Sequence, residues 1–272
     1  MDSTPPPREL LEMAIDVARD AAATAHRMRA EGVSVAATKS TVTDVVTAAD
    51  RAVERQITDA LRRLRPGDAV LGEEYGAAEH GTDAPARVRW IVDPIDGTVN
   101  YLYGLPHCGV SIAAEVDGEV VAGVVRNIHT GEEWTATLGG GAWRDGRRLR
   151  CSTETDLGQA LVITGFGYHP GRRAHQARVV AELIPQVRDI RRLGAAAVDL
   201  CVVAEGRADA YYEKGLAAWD QAAGGLVAAE AGLVIGGLKG LAPGPDMVIA
   251  APLALFGPLH DRLAELDASG GP

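Results

Sequence analysis

Between Trp90 and Asn100 the chain reads WIVDPIDGTVN. A short hydrophobic strand, Arg89 to Val92, runs into two carboxylates three positions apart, Asp93 and Asp96, with Pro94 between them and Gly97-Thr98 behind. A strand that ends this way places both carboxylates at its carboxyl edge. The peptide N–H groups of Gly97 and Thr98 then point outward at the start of a short helix, where unsatisfied donors favour an anion. Carboxylates beside an anion site make chemical sense with a hard divalent cation between them, because Mg2+ takes oxygen ligands and is held by a few carboxylates, water and substrate phosphate. The pattern points to metal-assisted phosphoryl chemistry. The competing reading is that Asp93 and Asp96 only form turns, since Asp-Pro and Asp-Gly are common turn dipeptides. The hexapeptide alone does not separate the two.

Other acids stand where elements begin or end. LGEEYG puts Glu73 and Glu74 just after a strand ending at Leu71, VTAAD puts Asp50 at the start of a helix, and WDQAAGG puts Asp220 in the first turn of another. Each has a plainer role open to it, a solvated loop for the glutamates and an N-cap for the aspartates. His107, His129 and His169 lack triad spacing, Ser111 has no GxSxG elbow, and Cys108 reads as a small core residue, so a side-chain nucleophile is not indicated.

The elements that must position these acids fall into two styles. Apolar residues recur at helical spacing from Arg8 to Ala30 and from Asp50 to Leu64, where the RPGD stop follows. Strands are expected at 69–71 and 89–92, then a hairpin from CGVSIAAEV and EVVAGVVRN, then two more antiparallel strands in GEEWTATL and AWRDGRRLRC. Beyond Cys151, short strands (ALVIT, RDIRRL, ADAYYE, LVIG, MVIAA) alternate with helices near 173–184, 195–204, 220–231 and 253–266. This predicts an α/β protein in two lobes, residues 1–152 with most of the acids and residues 153–272 with Asp220.

Composition narrows the partners. A formal net charge of −10 argues against a nucleic-acid or anionic-membrane surface, which needs a basic face. Three scattered cysteines without a CxxC suit a reducing cytoplasm, the polar, Pro-rich N-terminus is not a secretory signal, and no apolar run is long enough to span a membrane.

Taken in order, GEE, DPIDGT and the later WDxAAG resemble the inositol monophosphatase family of magnesium-dependent, lithium-sensitive phosphatases, in its bacterial form. The resemblance runs from KSTVTDVVTAAD through AYYEKGLAAWDQAAGGLVAAEAG to MVIAAP. It implies the layered αβαβα sandwich of the sugar-phosphatase superfamily, with an antiparallel sheet in the N-terminal lobe, and a homodimer. It also implies that Glu73, Asp93, the Ile95 carbonyl, Asp96 and Asp220 ligate Mg2+, and that Thr98 and Asp50 act with Glu73 on the attacking water. The Gly97 and Thr98 N–H groups would cradle the phosphate, and Lys39 matches the family lysine near it. Glu74 reads as supporting and Asp44 as loop structure. By two-metal logic one ion activates water and another stabilises the leaving alkoxide.

For the substrate, a phosphorylated polyol, the resemblance implies that Glu213 in AYYEKG accepts hydrogen bonds from ring hydroxyls and that the backbone at Gly194 and Ala196 touches the ring. Ala195, Gly165 and Phe166 depart from residues common in relatives, which predicts altered ring selectivity. No basic pocket for a second phosphate is expected, so inositol monophosphate leads over histidinol phosphate, fructose 1,6-bisphosphate and 3′-phosphoadenosine 5′-phosphate. The alternative of another class is a metal-binding regulatory protein without turnover.

Overall fold

The structure is a computed structural model that describes residues 5–32, 35–38, 41, 45–78 and 87–272. Helix α1 (Pro7–Glu31) is followed by a small hairpin of β1 (Val35–Thr38) and β2 (Val45–Thr47), and then by α2 (Ala48–Leu64). Next come β3 (Ala69–Gly72), β4 (Gly76–Ala78), β5 (Val88–Asp96), the short α3 (Thr98–Tyr103), β6 (Gly109–Val116), β7 (Glu119–Asn127), β8 (Glu133–Thr137), β9 (Gly141–Arg144) and β10 (Arg147–Arg148). The second half runs β11 (Leu161–Thr164), α4 (Pro170–Leu183), β12 (Asp189–Arg191), α5 (Ala196–Ala204), β13 (Ala210–Glu213), α6 (Ala218–Glu230), β14 (Val234–Gly236), β15 (Val248–Ala251) and α7 (Leu253–Glu265).

Two sheets organise these elements. The larger has the order β10-β9-β8-β7-β6-β5-β3-β4, and the smaller β12-β11-β13-β15-β14. Period-two alternation sorts their side chains into separate cores. Trp90, Val92 and Ile112 face the alanine-rich side of α1 and the Val53, Ile57 and Leu61 side of α2. Ile91, Ala113 and Val125 face the other way, onto α5 and α6, which also receive Ile163 and Tyr211 from the smaller sheet. Val162, Tyr212 and Ile249 point outward onto α4 and α7. The layers are therefore helix, sheet, helix, sheet, helix, as expected. Because α5 is in the middle layer it is buried along its whole length, which is why its sequence is apolar on every face.

Three local features refine the expected elements, and the first and last of them bear on the site. β5 does not stop at Val92: it continues through the Asp-Pro to Asp96, with its register on β6 broken between Asp93 and Asp96. Pro94 has no N–H to give the ladder, so the strand passes it as an irregularity and re-aims the two aspartates. AWRDGRRLRC is two strands, β9 and β10, because Asp145 and Gly146 both have positive φ (48° and 79°) and turn the chain. The larger sheet is antiparallel from β5 to β10 but parallel where β3 meets β5. That pairing brings the end of β3, with the Glu73 turn after it, level with Val92 of β5.

Candidate metal and phosphate site

The ends of β3 and β5, the N-terminus of α6 and the segment leading into α5 converge on one cavity of about 390 Å3, and the N-terminus of α2 reaches its edge through the Asp50–Thr98 hydrogen bond. Asp93, Asp96 and Asp220 each contribute an oxygen to a cluster within 4.8 Å of one another. At that separation two full carboxylate charges repel by about 3–4 kcal/mol per pair at an effective dielectric near 20. Turn and cap roles do not require the three acids to be gathered, so the gathering is a feature those roles leave unexplained. Burial, with repulsion from Glu73, Asp96 and Asp220, holds the Asp93 carboxyl well above the usual carboxylate range, and burial with repulsion from Asp220 and Asp199 does the same for Asp96. The set contains only oxygen donors, no imidazole or thiolate, and is the donor chemistry of a hard divalent cation.

Each acid is anchored by one oxygen. Asp93 Oδ1 accepts from its own turn at Ile95 N (3.0 Å). Asp96 Oδ2 accepts from Ala197 N (2.9 Å) and Val198 N (3.2 Å). It thus caps α5, whose own N-cap residue, Ala195, has no side chain able to do so. Asp220 Oδ2 accepts from Ala217 N (2.6 Å) at the start of α6. Asp50 is not an N-cap but the third residue of a capping box: Thr47 N (2.7 Å) and Thr47 Oγ1 (2.5 Å) donate to its Oδ2. Its other oxygen accepts from the Thr98 hydroxyl (3.1 Å), which also reaches the Ile95 carbonyl (3.2 Å). Burial pushes Asp50 up to about 6, against the lowering effect of Thr47. Glu73 lines the cavity and is in hydrogen-bond contact with Asp93.

Gly97 lies in the left-handed region (φ 82°), and a side chain there would press on Ala195 and the Gly194 carbonyl. Only glycine meets both demands. The Gly194 to Ala196 segment forms one wall of the cavity, and Glu213 lies across it. Glu213 accepts from the Tyr211 hydroxyl (2.7 Å), and burial pushes it up to about 8. Gly165 is packed against the Glu213 carboxylate so closely that any side chain would displace it. A serine at this position is therefore incompatible with the present Glu213 placement. Lys39 and Asp44 lie outside the described residues.

One expectation needs correction. The cavity lining includes Arg172, Arg192 and Lys214, so cationic residues do border it, with Arg172 Nε and Lys214 Nζ donating to main-chain carbonyls at Pro272, Gly270 and Gly271. They are dispersed over the 170s, the 190s and 214, with no local motif to announce them. Sequence reasoning also missed the supports. Asn100 Nδ2 donates to the His107 and Leu193 carbonyls (2.7 and 2.8 Å) and ties the α3 loop to the approach to Gly194. The Ser111 hydroxyl donates to the Trp219 carbonyl (3.3 Å) next to Asp220. His107 meets the fully buried Asp199 at 2.6 Å. Asn100 and Ser111 sit beside or opposite motif residues, and that adjacency was the available signal.

A model of the inositol monophosphatase family matches residues 7–266. The inositol-1-monophosphatase SuhB of Mycobacterium tuberculosis is 44% identical, covering 97% of this chain and 96% of that one. A Pseudomonas aeruginosa protein named Nus factor SuhB is 42% identical over 72% of this chain and 73% of its own. Among solved structures, the Bartonella henselae extragenic suppressor protein SuhB superposes with a TM-score of 0.85 at 34% identity, covering 94% of this chain and 98% of that one. Mycobacterium tuberculosis SuhB gives 0.81 at 40% identity, with 98% and 100% covered.

Proposed function

The chain belongs to the inositol monophosphatase family, and on that premise we propose that it is a Mg2+-dependent phosphomonoesterase that hydrolyses inositol monophosphate to inositol and phosphate. The observation that carries this reading is the gathering of the buried Asp93 and Asp96 with the half-buried Asp220 beside the linked Asp50–Thr98 pair. Asp93, Asp96, Asp220, Glu73 and the Ile95 carbonyl would hold Mg2+. A metal held there would neutralise the gathered carboxylates and would supply the chemistry of water activation and of charge stabilisation on the phosphate and leaving oxygen.

The chain's own residues do the rest. The Thr98 hydroxyl, its proton directed to Asp50 and the Ile95 carbonyl, presents lone pairs to the attacking water and orients it. Asp50, raised to about 6, accepts a proton near neutral pH, the range that suits a general base. The Gly97 and Thr98 N–H groups hold phosphate oxygens, and Lys39 adds positive charge to the same end. Across the cavity Glu213 accepts from ring hydroxyls, while the Gly194 and Ala196 backbone bounds the ring. The same proposal includes lithium inhibition by occupation of a vacated Mg2+ position, a homodimer, a cytoplasmic location, and two lobes (1–152 and 153–272) that both wall the cavity. It includes no nucleic-acid or membrane partner, in keeping with the acidic balance. No helix among the described residues is long and apolar enough to cross a membrane.

A second reading is favoured by Arg172 and Arg192, which would suit a substrate with a second anionic group, such as fructose 1,6-bisphosphate or 3′-phosphoadenosine 5′-phosphate. Phosphate release with Mg2+ present, measured across these two, inositol 1-phosphate and histidinol phosphate, tests the assignment. The proposal expects the highest kcat/KM for inositol 1-phosphate. A bisphosphate ahead of it by tenfold would install the second reading. No release from any of the four would leave a metal-binding protein without turnover.

A further inference from the structure

Glu54 is 1% exposed, yet it is a carboxylate with no place in the reaction described above. Both of its recorded hydrogen bonds come from the main chain of the turn after β3: Glu74 N donates to Oε2 (2.7 Å) and Tyr75 N to Oε1 (3.0 Å). Withdrawing a carboxylate from water costs several kcal/mol unless donors replace the solvent. A packing role between α2 and β3 would be met more simply by an apolar side chain. What the carboxylate adds is a grip on two consecutive N–H groups, and hence on the direction of the turn that begins at Glu73.

Two further observations fit that grip. Gly72, the last residue of β3, has no side chain exactly where one would collide with the Glu54 carboxylate. Arg55, next on α2, donates to the Tyr75 hydroxyl (3.0 Å), a second tie from the same helix to the same turn. Asp50 and Glu54 are four residues apart and so share one face of α2. From that face Asp50 reaches Thr98 and Glu54 reaches the 73–75 turn, so a single rigid helix sets the spacing between two parts of the site.

We infer that Glu54 is a positioning residue that sets Glu73 against the acidic cluster, so that divalent-cation affinity depends on a carboxylate that never touches the cation. The inference rests on the reading of Glu73 as a metal ligand. Losing a partner that orients a ligand costs about 10–100-fold in metal affinity. Glu54→Gln keeps the size but offers one acceptor where two N–H groups need them. Gly72→Ala leaves Glu54 in place and displaces its carboxylate.

The test is the Mg2+ Kd of EDTA-stripped full-length protein by titration calorimetry, for wild type, both variants, Glu73→Gln, and Ile57→Val as a control that loosens the buried face of α2. The expected result is a Kd raised at least tenfold in Glu54→Gln and in Gly72→Ala, with kcat recovering to within a few-fold at saturating Mg2+. Ile57→Val should lower the melting temperature and leave the Kd unchanged. Folded Glu54→Gln and Gly72→Ala proteins with wild-type Kd, alongside a weakened Glu73→Gln, would overturn the inference and leave the role of Glu73 standing. A wild-type Kd in Glu73→Gln would overturn both. Should Glu54→Gln not fold, Gly72→Ala decides alone.

Discussion

At the carboxylate end of the cavity each aspartate is tethered by backbone or capping donors: Asp50 by Thr47, Asp93 by Ile95, Asp96 by the first turn of α5, Asp220 by Ala217. At the opposite end Glu213 has the Tyr211 hydroxyl, Arg172 Nε reaches a main-chain carbonyl at Pro272, and Arg192 is largely exposed. The first end is built to keep charges close together against their repulsion, which demands fixed donors. The second is held mainly by side-chain contacts, Glu213 by Tyr211 and by packing on Gly165, and it includes the exposed Arg192. On the proposed reading, reaction type and substrate choice are carried by different groups of residues, so that changes at the Glu213 end would alter specificity while the chemistry is retained.

The sharpest way to break this contrast is at the tethered end. Asp93→Asn and Asp220→Asn keep the shape and remove ligand charge, so kcat/KM should fall by at least roughly 10²-fold, the scale of losing one electrostatic contact to the transition state. Folded variants within a few-fold of wild type would return these residues to turn and cap duty. At the adaptable end, Glu213→Gln should cost about 1.5–3 kcal/mol in turnover of inositol 1-phosphate, as for a bond to a charged group. It should leave 4-nitrophenyl phosphate, which has no ring hydroxyls, nearly unaffected. Equal losses on both substrates would make Glu213 a support of the metal end.

Asn100→Ala tests the seam between the ends. It removes the buried Asn100 amide from the carbonyls of the half-buried His107 and Leu193 and should lower stability by about 1–3 kcal/mol in denaturant unfolding. An unchanged midpoint would show that water satisfies them. A smaller and opposite-signed effect concerns pH. Asp50, Asp93, Asp96 and Glu213 all have folded-state pKa values raised by burial, so the metal-free folded chain binds more protons than the unfolded one above the usual carboxylate range. Stability then falls as pH rises through that window. The metal-free protein should melt higher at about pH 5.5 than at about pH 7.5, a window that spans the Asp50 value of about 6 and approaches the Glu213 value of about 8, and saturating Mg2+ should shrink the difference. A melting temperature that rises with pH in EDTA would contradict the raised values.

How much of this was legible in the sequence follows the same divide. The acidic residues announce themselves because Asp-Pro-Ile-Asp-Gly-Thr and Trp-Asp are contiguous and stand at element boundaries that hydrophobic periodicity already marks. The helices and most strands were legible for the same reason, since α1 and α2 have one apolar face and β5 to β7 are apolar over most of their length. The continuation of β5 past Pro94 was not, because proline at a register break reads locally as a stop. Nor was the capping of α5 by Asp96, a contact across 101 positions that no window contains. Arg172 and Arg192 escaped notice because a cationic wall assembled from α4 and the approach to Gly194 leaves no pattern along the chain.

Phosphate release from inositol 1-phosphate by EDTA-stripped protein, before and after Mg2+ is restored, tests most directly whether the gathered carboxylates exist to hold a cation. The account predicts no turnover in metal-free buffer and recovery with Mg2+, in wild type but not in Asp93→Asn or Asp220→Asn. Full turnover in metal-free buffer would contradict it.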